Sequence, residues 1–138
     1  MQANLTWKGN SQFLAVPPSG KAIVFDSDPD HGGESAGPSP LETMLCTLAA
    51  CTAMDVISIL QKKRQIIHDY RIEISGDRDP EGVWPRPFTK ITVRHIFQGE
   101  NLDEGAVKRA IELSDEKYCS VAATLRQTPE IISEWKIG

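Results

Sequence analysis

The sequence predicts an α+β fold, and three observations predict it. Short strand-like runs fill the first 27 residues, one long apolar helical pattern starts at Ser39, and a strand pair, two more helical stretches and a last strand-like run follow. With 138 residues and neither a repeat nor a linker, a single domain spanning 1–138 is expected.

Leu5 and Trp7, Phe13 to Val16, and Ala22 to Phe25 read as three strands, punctuated by Lys8-Gly9-Asn10 and Pro17-Pro18-Ser19-Gly20. The polar, Gly- and Pro-rich loop from Asp26 to Pro38 is long for a compact domain, which makes it a place to look for function or mobility.

Ser39-Pro40-Leu41-Glu42 then opens a helix with an N-cap serine, proline at the first helical position and glutamate at the third, a capping box. Lys62, Lys63 and Arg64 suit its negative end. About 25 residues at 1.5 Å each make roughly 37 Å, nearly the width of a small domain. Projected at about 100° per residue, Leu41, Leu45, Leu48, Val56 and Ile59 form one apolar stripe, and Cys46, Ala50, Ala53 and Ile57 make the far side apolar too. Only the strip of Thr43, Thr47, Cys51, Asp55 and Ser58 is polar-tinged. A helix apolar nearly all round wants neighbours on several sides, so a dimer that shares its core is expected.

In the second half, His68, Tyr70, Ile72 and Ile74 alternate with polar residues as a strand with one wet face. Asp79-Pro80-Glu81-Gly82 turns the chain, and Thr89, Ile91, Val93, His95 and Phe97 line one face of the next strand. Asp103 opens a helix with a buried stripe of Val107, Ala110, Ile111 and Ser114. A shorter helix is expected from about Cys119 to before Thr128-Pro129, and Ile131 to Ile137 as a closing strand.

Composition narrows the function classes. Hydrophobic residues are 40 % and charged ones 25 %, an ordinary globular balance. A net charge of -4 and a pI near 5.3 speak against a nucleic-acid partner. Glu42 and Asp55 interrupt the longest apolar run, so neither a membrane span nor a membrane partner is expected. The N-terminus carries no secretory pattern, and three cysteines make neither an even disulfide framework nor a CxxC, which together point to a cytoplasmic protein with free thiols.

Two of those thiols sit where chemistry is conceivable. Cys51 lies mid-helix on the polar-tinged strip, where it is either a small buried hydrophobe or a reactive thiol. Cys119 falls near a helix start, where the positive end of a dipole favours a thiolate, with a packed thiol as the alternative. Cys46, about 140° around the helix from Cys51, reads as core. One thiol could attack and the other resolve if the two meet in space, which spacing does not show.

Pro38-Ser39-Pro40-Leu41-Glu42, Ala49-Ala50-Cys51-Thr52-Ala53-Met54-Asp55-Val56 and Glu116-Lys117-Tyr118-Cys119-Ser120-Val121 together resemble the OsmC/Ohr family. The resemblance covers essentially the whole chain. It implies antiparallel sheets around a long central helix, an intertwined homodimer with sites at the subunit interface, and thiol-dependent reduction of organic hydroperoxides. It also implies that Cys51 attacks the peroxide, that Cys119 resolves the sulfenic acid as a disulfide, and that an external dithiol reduces that disulfide. No metal, haem or flavin cofactor is implied.

The chain departs from that family at several points. No arginine precedes Arg64, where hydroperoxidase members carry one early in the chain, and Ser120 stands where a proline usually follows the second cysteine. The family's glutamate matches Leu41, while the carboxylate here is Glu42, about 180° from Cys51 around the helix, so Glu42 reads as a capping residue ahead of a catalytic one. Asp55 would oppose a thiolate at Cys51 if it were close and ionised. Lys117 and Arg126, flanking Cys119, are surface cations or a source of positive charge for it. A small-ligand-binding or sulfur-carrying protein with little turnover therefore stands beside the peroxidase reading. Asp26-Ser27-Asp28-Pro29-Asp30-His31-Gly32 only partly matches a calcium loop, and His31, His68 and His95 have no metal-ligand spacing. His95, on an apolar strand face, reads as a satisfied core histidine.

Overall fold

Alternating apolar residues around a Gly9-Asn10 turn fold the start of the chain into a three-stranded antiparallel sheet. In the computed structural model, which describes residues 1–127 and 129–137, β1 (Asn4–Gly9), β2 (Gln12–Val16) and β3 (Ile23–Phe25) pair in that order. The register sets Trp7 opposite Phe13 and Phe13 opposite Phe25. Gly9 at φ 108° and Asn10 at φ 45° take the left-handed conformations this tight reversal needs. This sheet belongs to the first of two compact units, Met1–Cys46; the second is Thr47–Gly138.

The long loop that follows is organised by one carboxylate. Asp26, only 3 % exposed, accepts from the backbone N–H groups of Ser27 at 2.8 Å, Glu34 at 3.2 Å and Ala36 at 3.1 Å. These bonds, that from Ala36 foremost, hold its carboxyl below the usual carboxylate range. Between them lies a single 3-10 turn, Pro29–His31, capped by Asp28, whose Oδ1 is taken up by the His31 N–H at 3.0 Å and ring Nδ1 at 2.6 Å.

Helix α1 (Pro40–Lys62) begins on the expected capping box: the Ser39 N–H donates to Glu42 Oε2 at 2.8 Å and the Glu42 N–H to Ser39 Oγ at 3.4 Å. Its end is marked by Arg64 at φ 56°, with the Gln65 N–H closing on Leu60 O at 3.0 Å. The buried ridge differs from the expected stripe. It is Leu48, Thr52, Val56 and Leu60, an i+4 row, which carries a hydroxyl that the apolar projection passed over. The far side is only partly covered: Ala53 and Ile57 are half-buried, but Cys46 and Ala50 are exposed and Met54 is 70 % exposed, so Cys46 is not a core residue of this chain. Length alone does not rule out a span: α1 is long and apolar enough by length and composition to cross a membrane, a test that the core helix of a globular protein also passes, because Glu42 lies outside its most apolar stretch and Asp55 alone does not break it.

In the second unit, β4 (Ile66–Arg78) and β5 (Phe88–Glu100) form a two-stranded antiparallel hairpin. A bulge between Ile67 and Asp69 resets the alternation, so Ile67, Tyr70, Ile72 and Ile74 face inward while His68 swings out toward Glu100, 3.4 Å away. Tyr70 stacks on Phe97 at 4.4 Å between ring centroids, and its hydroxyl shares a 2.8 Å hydrogen bond with His95 Nδ1. His95 is thus the satisfied half-buried histidine expected, and burial holds its pKa below 6.5.

Asp103 caps α2 (Glu104–Leu113) by accepting from the Ala106 N–H at 3.1 Å. Ala110 is fully buried and packs with Val56 and Leu60 of α1 and with Ile67, Tyr70 and Phe97 of the hairpin. Each fully buried branched side chain such as Val56 or Leu60 contributes roughly 1.5–3 kcal/mol. One turn of π-helix, Ser114–Tyr118, then leads to Cys119 and α3 (Ser120–Arg126). Residues 131–137 are not a strand here. Among the described residues no strand pairs with them, and Ile131, Ile132, Trp135 and Ile137 are 72–88 % exposed.

Candidate functional site

The second unit brings together the two cysteines that spacing alone could not join. The sulfurs of Cys51 and Cys119 and one carboxylate oxygen of Asp55 all lie within 4.8 Å of one another. Helix α1 supplies Cys51 and Asp55, four residues apart and therefore on one face. Cys119 comes from the far end of the chain as the N-cap of α3, where its Sγ accepts from the Ala122 N–H at 3.4 Å. Leu48 and Ala122 pack beside Cys119, with Ile74, Ile91 and Val93 closing the cluster.

The π-turn explains how Cys119 reaches α1. Its first residue, Ser114, is fully buried and donates to Asp55 Oδ2 at 3.0 Å, while the Thr52 and Ser114 hydroxyls lie 3.0 Å apart. With the Ser114 proton given to the carboxylate, Thr52 donates to Ser114, so a Thr52–Ser114–Asp55 chain fixes the carboxylate beside the thiols. The widened turn then sets Cys119 with its N–H on Ser114 O at 2.8 Å. Sequence reading placed Ser114 on the buried stripe but missed this chain. A hydroxyl at Thr52, on the i+4 row ending at Val56 and Leu60, was the available signal.

The two thiols have different surroundings. Cys51 is half-buried, whereas Cys119 is 3 % exposed. The helix start was expected to favour the Cys119 thiolate, and the balance goes the other way. Burial pushes this thiol up from 9.0, the hydrogen bond and charge of Cys51 add to the rise, and the Ala122 and Val121 N–H groups only partly offset it. A helix of seven residues provides too little field to outweigh lost hydration.

The remaining candidates have other work. Glu42 Oε2 is taken up by the Ser39 N–H, which lowers the pKa of its carboxyl, as a capping residue's should be. Arg126 binds the Asp115 carbonyl at 3.0 Å and its carboxylate, tying α3 back to the π-turn, and the Lys117 ammonium sits 5.4 Å from the centre of the Tyr118 ring. Cys119 also borders a cavity of about 500 Å³, walled by Leu48, Ile91 and Val93 on one side and by Lys90, Asp115 and Arg126 among its polar residues. That volume and mixed lining suit a small molecule with both an apolar and a polar part.

Fold and site together define a class: α+β proteins in which a mid-helix cysteine faces a second cysteine at the start of a short helix. Comparison with known proteins identifies which. The OsmC-like protein family matches residues 31–134. Protein YhfA of Escherichia coli K12 is 39 % identical over 137 residues, covering 99 % of this chain and 98 % of YhfA. A protein of solved structure from Aquifex aeolicus VF5 is 31 % identical, covers 91 % of this chain and 86 % of its own, and superposes with a TM-score of 0.74. An organic hydroperoxide resistance protein OsmC from Legionella pneumophila shares the fold, with a TM-score of 0.63 at 14 % identity over 91 % of this chain and 88 % of its own. The chain belongs to the OsmC-like family.

Proposed function

We propose that this protein is a cytoplasmic, homodimeric thiol peroxidase for organic hydroperoxides. The observation that carries the reading is the convergence of the Cys51 and Cys119 sulfurs within 4.8 Å, across 67 intervening residues. The half-buried Cys51 thiolate attacks the outer peroxide oxygen, and the O–O bond breaks as the alkoxide leaves and takes a proton. Cys51 is now a sulfenic acid. Cys119, held as a neutral thiol by burial, then gives up its proton, attacks the Cys51 sulfur and expels water, leaving a disulfide that an external dithiol reduces. The apolar wall of the cavity beside Cys119, at Leu48, Ile91 and Val93, suits the organic part of the substrate. A second copy of the chain is supported by the uncovered side of α1 at Ala50 and Met54 and by the exposed apolar residues of 131–137.

The test is consumption of cumene or tert-butyl hydroperoxide with dithiothreitol as reductant. Turnover in the native protein that is lost in Cys51→Ser supports the proposal, and rates no higher than those of Cys51→Ser overturn it. One observation favours a second reading, a ligand-binding or sulfur-carrying protein. The group set beside the thiols is a carboxylate, Asp55, and no arginine precedes Arg64 to stabilise a thiolate. Intact mass after exposure of the reduced protein to polysulfide, whose sulfane sulfur passes to Cys51 as the shortened polysulfide leaves, showing a persulfide on Cys51 without peroxide turnover, would establish it.

A further inference from the structure

We infer that the reduced protein binds one zinc-class cation through Cys51, Asp55 and Cys119. This reading does not depend on peroxide turnover. Among the described residues this is the one place where three such side chains converge, and their ligand atoms lie within 4.8 Å of one another. Around tetrahedral zinc, two sulfurs and a carboxylate oxygen sit about 3.5–3.8 Å apart, so closure onto the ion needs movements of only about 1 Å.

The donor set selects the ion. Two thiolates and one carboxylate suit zinc, or cobalt as its spectroscopic substitute, and disfavour magnesium and calcium, which want oxygen alone. Three protein ligands leave a fourth position for water, and the half-buried Cys51 and Asp55 provide the open side for it. Two ligands are one helical turn apart on α1, so their spacing is fixed by the backbone. The third is fixed by the capping bond from Ala122. Outside the ligands, Ser114 holds Asp55 Oδ2 and Thr52 lies 3.0 Å from Ser114, the arrangement that orients a metal-binding carboxylate.

Binding replaces two S–H bonds by two S–Zn bonds and releases two protons. A disulfide between Cys51 and Cys119 uses the same two sulfurs, so the metal-bound and disulfide states exclude each other. Oxidation of the pair by two electrons therefore ejects the cation.

The test uses the full-length protein, reduced and freed of metal by chelation. Titration with Zn²⁺ against a colorimetric chelator should give one ion per chain, and Co²⁺ should give thiolate-to-cobalt charge transfer with tetrahedral ligand-field bands. Cys51→Ser, Cys119→Ser and the near-isosteric Asp55→Asn should each weaken binding at least tenfold, while Cys46→Ser leaves it unchanged; circular dichroism checks that each is folded, and Asp55→Asn decides if the cysteine variants are not. Diamide, which oxidises thiols without peroxide, should release the zinc stoichiometrically. Less than one zinc per chain at micromolar concentration with both thiols free, or binding that survives Asp55→Asn and loss of either cysteine, would overturn the assignment. Failure of hydroperoxide turnover with intact zinc binding would count against the peroxidase reading alone.

Discussion

Replacing Ser114 by alanine tests whether the hydroxyl chain beside the thiols holds the second unit together. The serine is fully buried, lies 3.0 Å from the Thr52 hydroxyl and donates to Asp55 Oδ2 at 3.0 Å. Its loss leaves the Thr52 hydroxyl, on a residue 8 % exposed, without that partner, which costs about 1–3 kcal/mol. A hydrogen bond to a carboxylate is worth about 1.5–3 kcal/mol, but Asp55 is only half-buried and water replaces part of it. The sum is about 3 kcal/mol, more than a hundredfold in the folding equilibrium. Urea unfolding followed by circular dichroism, at one fixed protein concentration, should show the midpoint falling by roughly 1–2 M for a slope near 2 kcal/mol/M. A control sharpens the reasoning: Thr52→Val removes the other hydroxyl, so the double variant should lose clearly less than the two single losses added together. A loss under about 0.5 kcal/mol in Ser114→Ala, or strict additivity in the double variant, would refute the claim that these hydroxyls depend on each other.

Other consequences follow from burial. Because burial first, and then Cys51, raises the Cys119 pKa, its alkylation in the native reduced protein should reach half its maximal rate above pH 9.0; a midpoint at or below that value contradicts the assignment. His95 is depressed by burial, so the stability that its neutral form contributes is present above pH 6.5 and lost as pH falls through the lower folded value; an NMR titration placing His95 at or above 6.5 would reverse that sign. Ala50→Glu puts a charge on the uncovered side of α1, and if a second copy packs there an unpaired buried charge costs several kcal/mol, so light scattering should show monomer; an unchanged dimer would mean that this side faces water.

How far the sequence speaks depends on whether a feature is local. The capping box at Ser39 and Glu42, the Asp103 cap and the alternation of β4 from Tyr70 and of β5 from Ile91 are set by neighbours a few residues apart, and each is found as read. The bulge that turns His68 outward is a one-residue slip whose cause lies in pairing across the hairpin, so simple alternation put His68 on the wrong face. Residues 131–137 look like a strand because apolar residues recur there, yet a strand needs a pairing edge, and among the described residues of one chain none is provided. Cys46 was misread for a related reason: an apolar helix side predicts a cover without saying whose. The Cys51–Cys119 pair was legible only through its resemblance to known proteins, since the π-turn that delivers Cys119 has no sequence signature as plain as a cap.

Asp55 is where stability and chemistry meet. A carboxylate beside two thiols is a poor aid to peroxide attack, since it offers no positive charge or donor to the departing oxygen. Yet the fold does more than tolerate it: a fully buried serine is spent on holding its Oδ2, and a π-turn places that serine and Cys119 together. A purely redox pair requires none of this, for two sulfurs at this separation form a disulfide with or without a third group. A fixed carboxylate does make sense if the site alternates between a disulfide and a bound cation. With both thiols ionised the cluster carries three negative charges, and a divalent ion offsets two of them. On that view Asp55 helps retain the ion that shields the thiols. Asp55→Asn should therefore weaken zinc and let hydroperoxide oxidise Cys51 faster when zinc is present, a difference that chelation of the zinc removes.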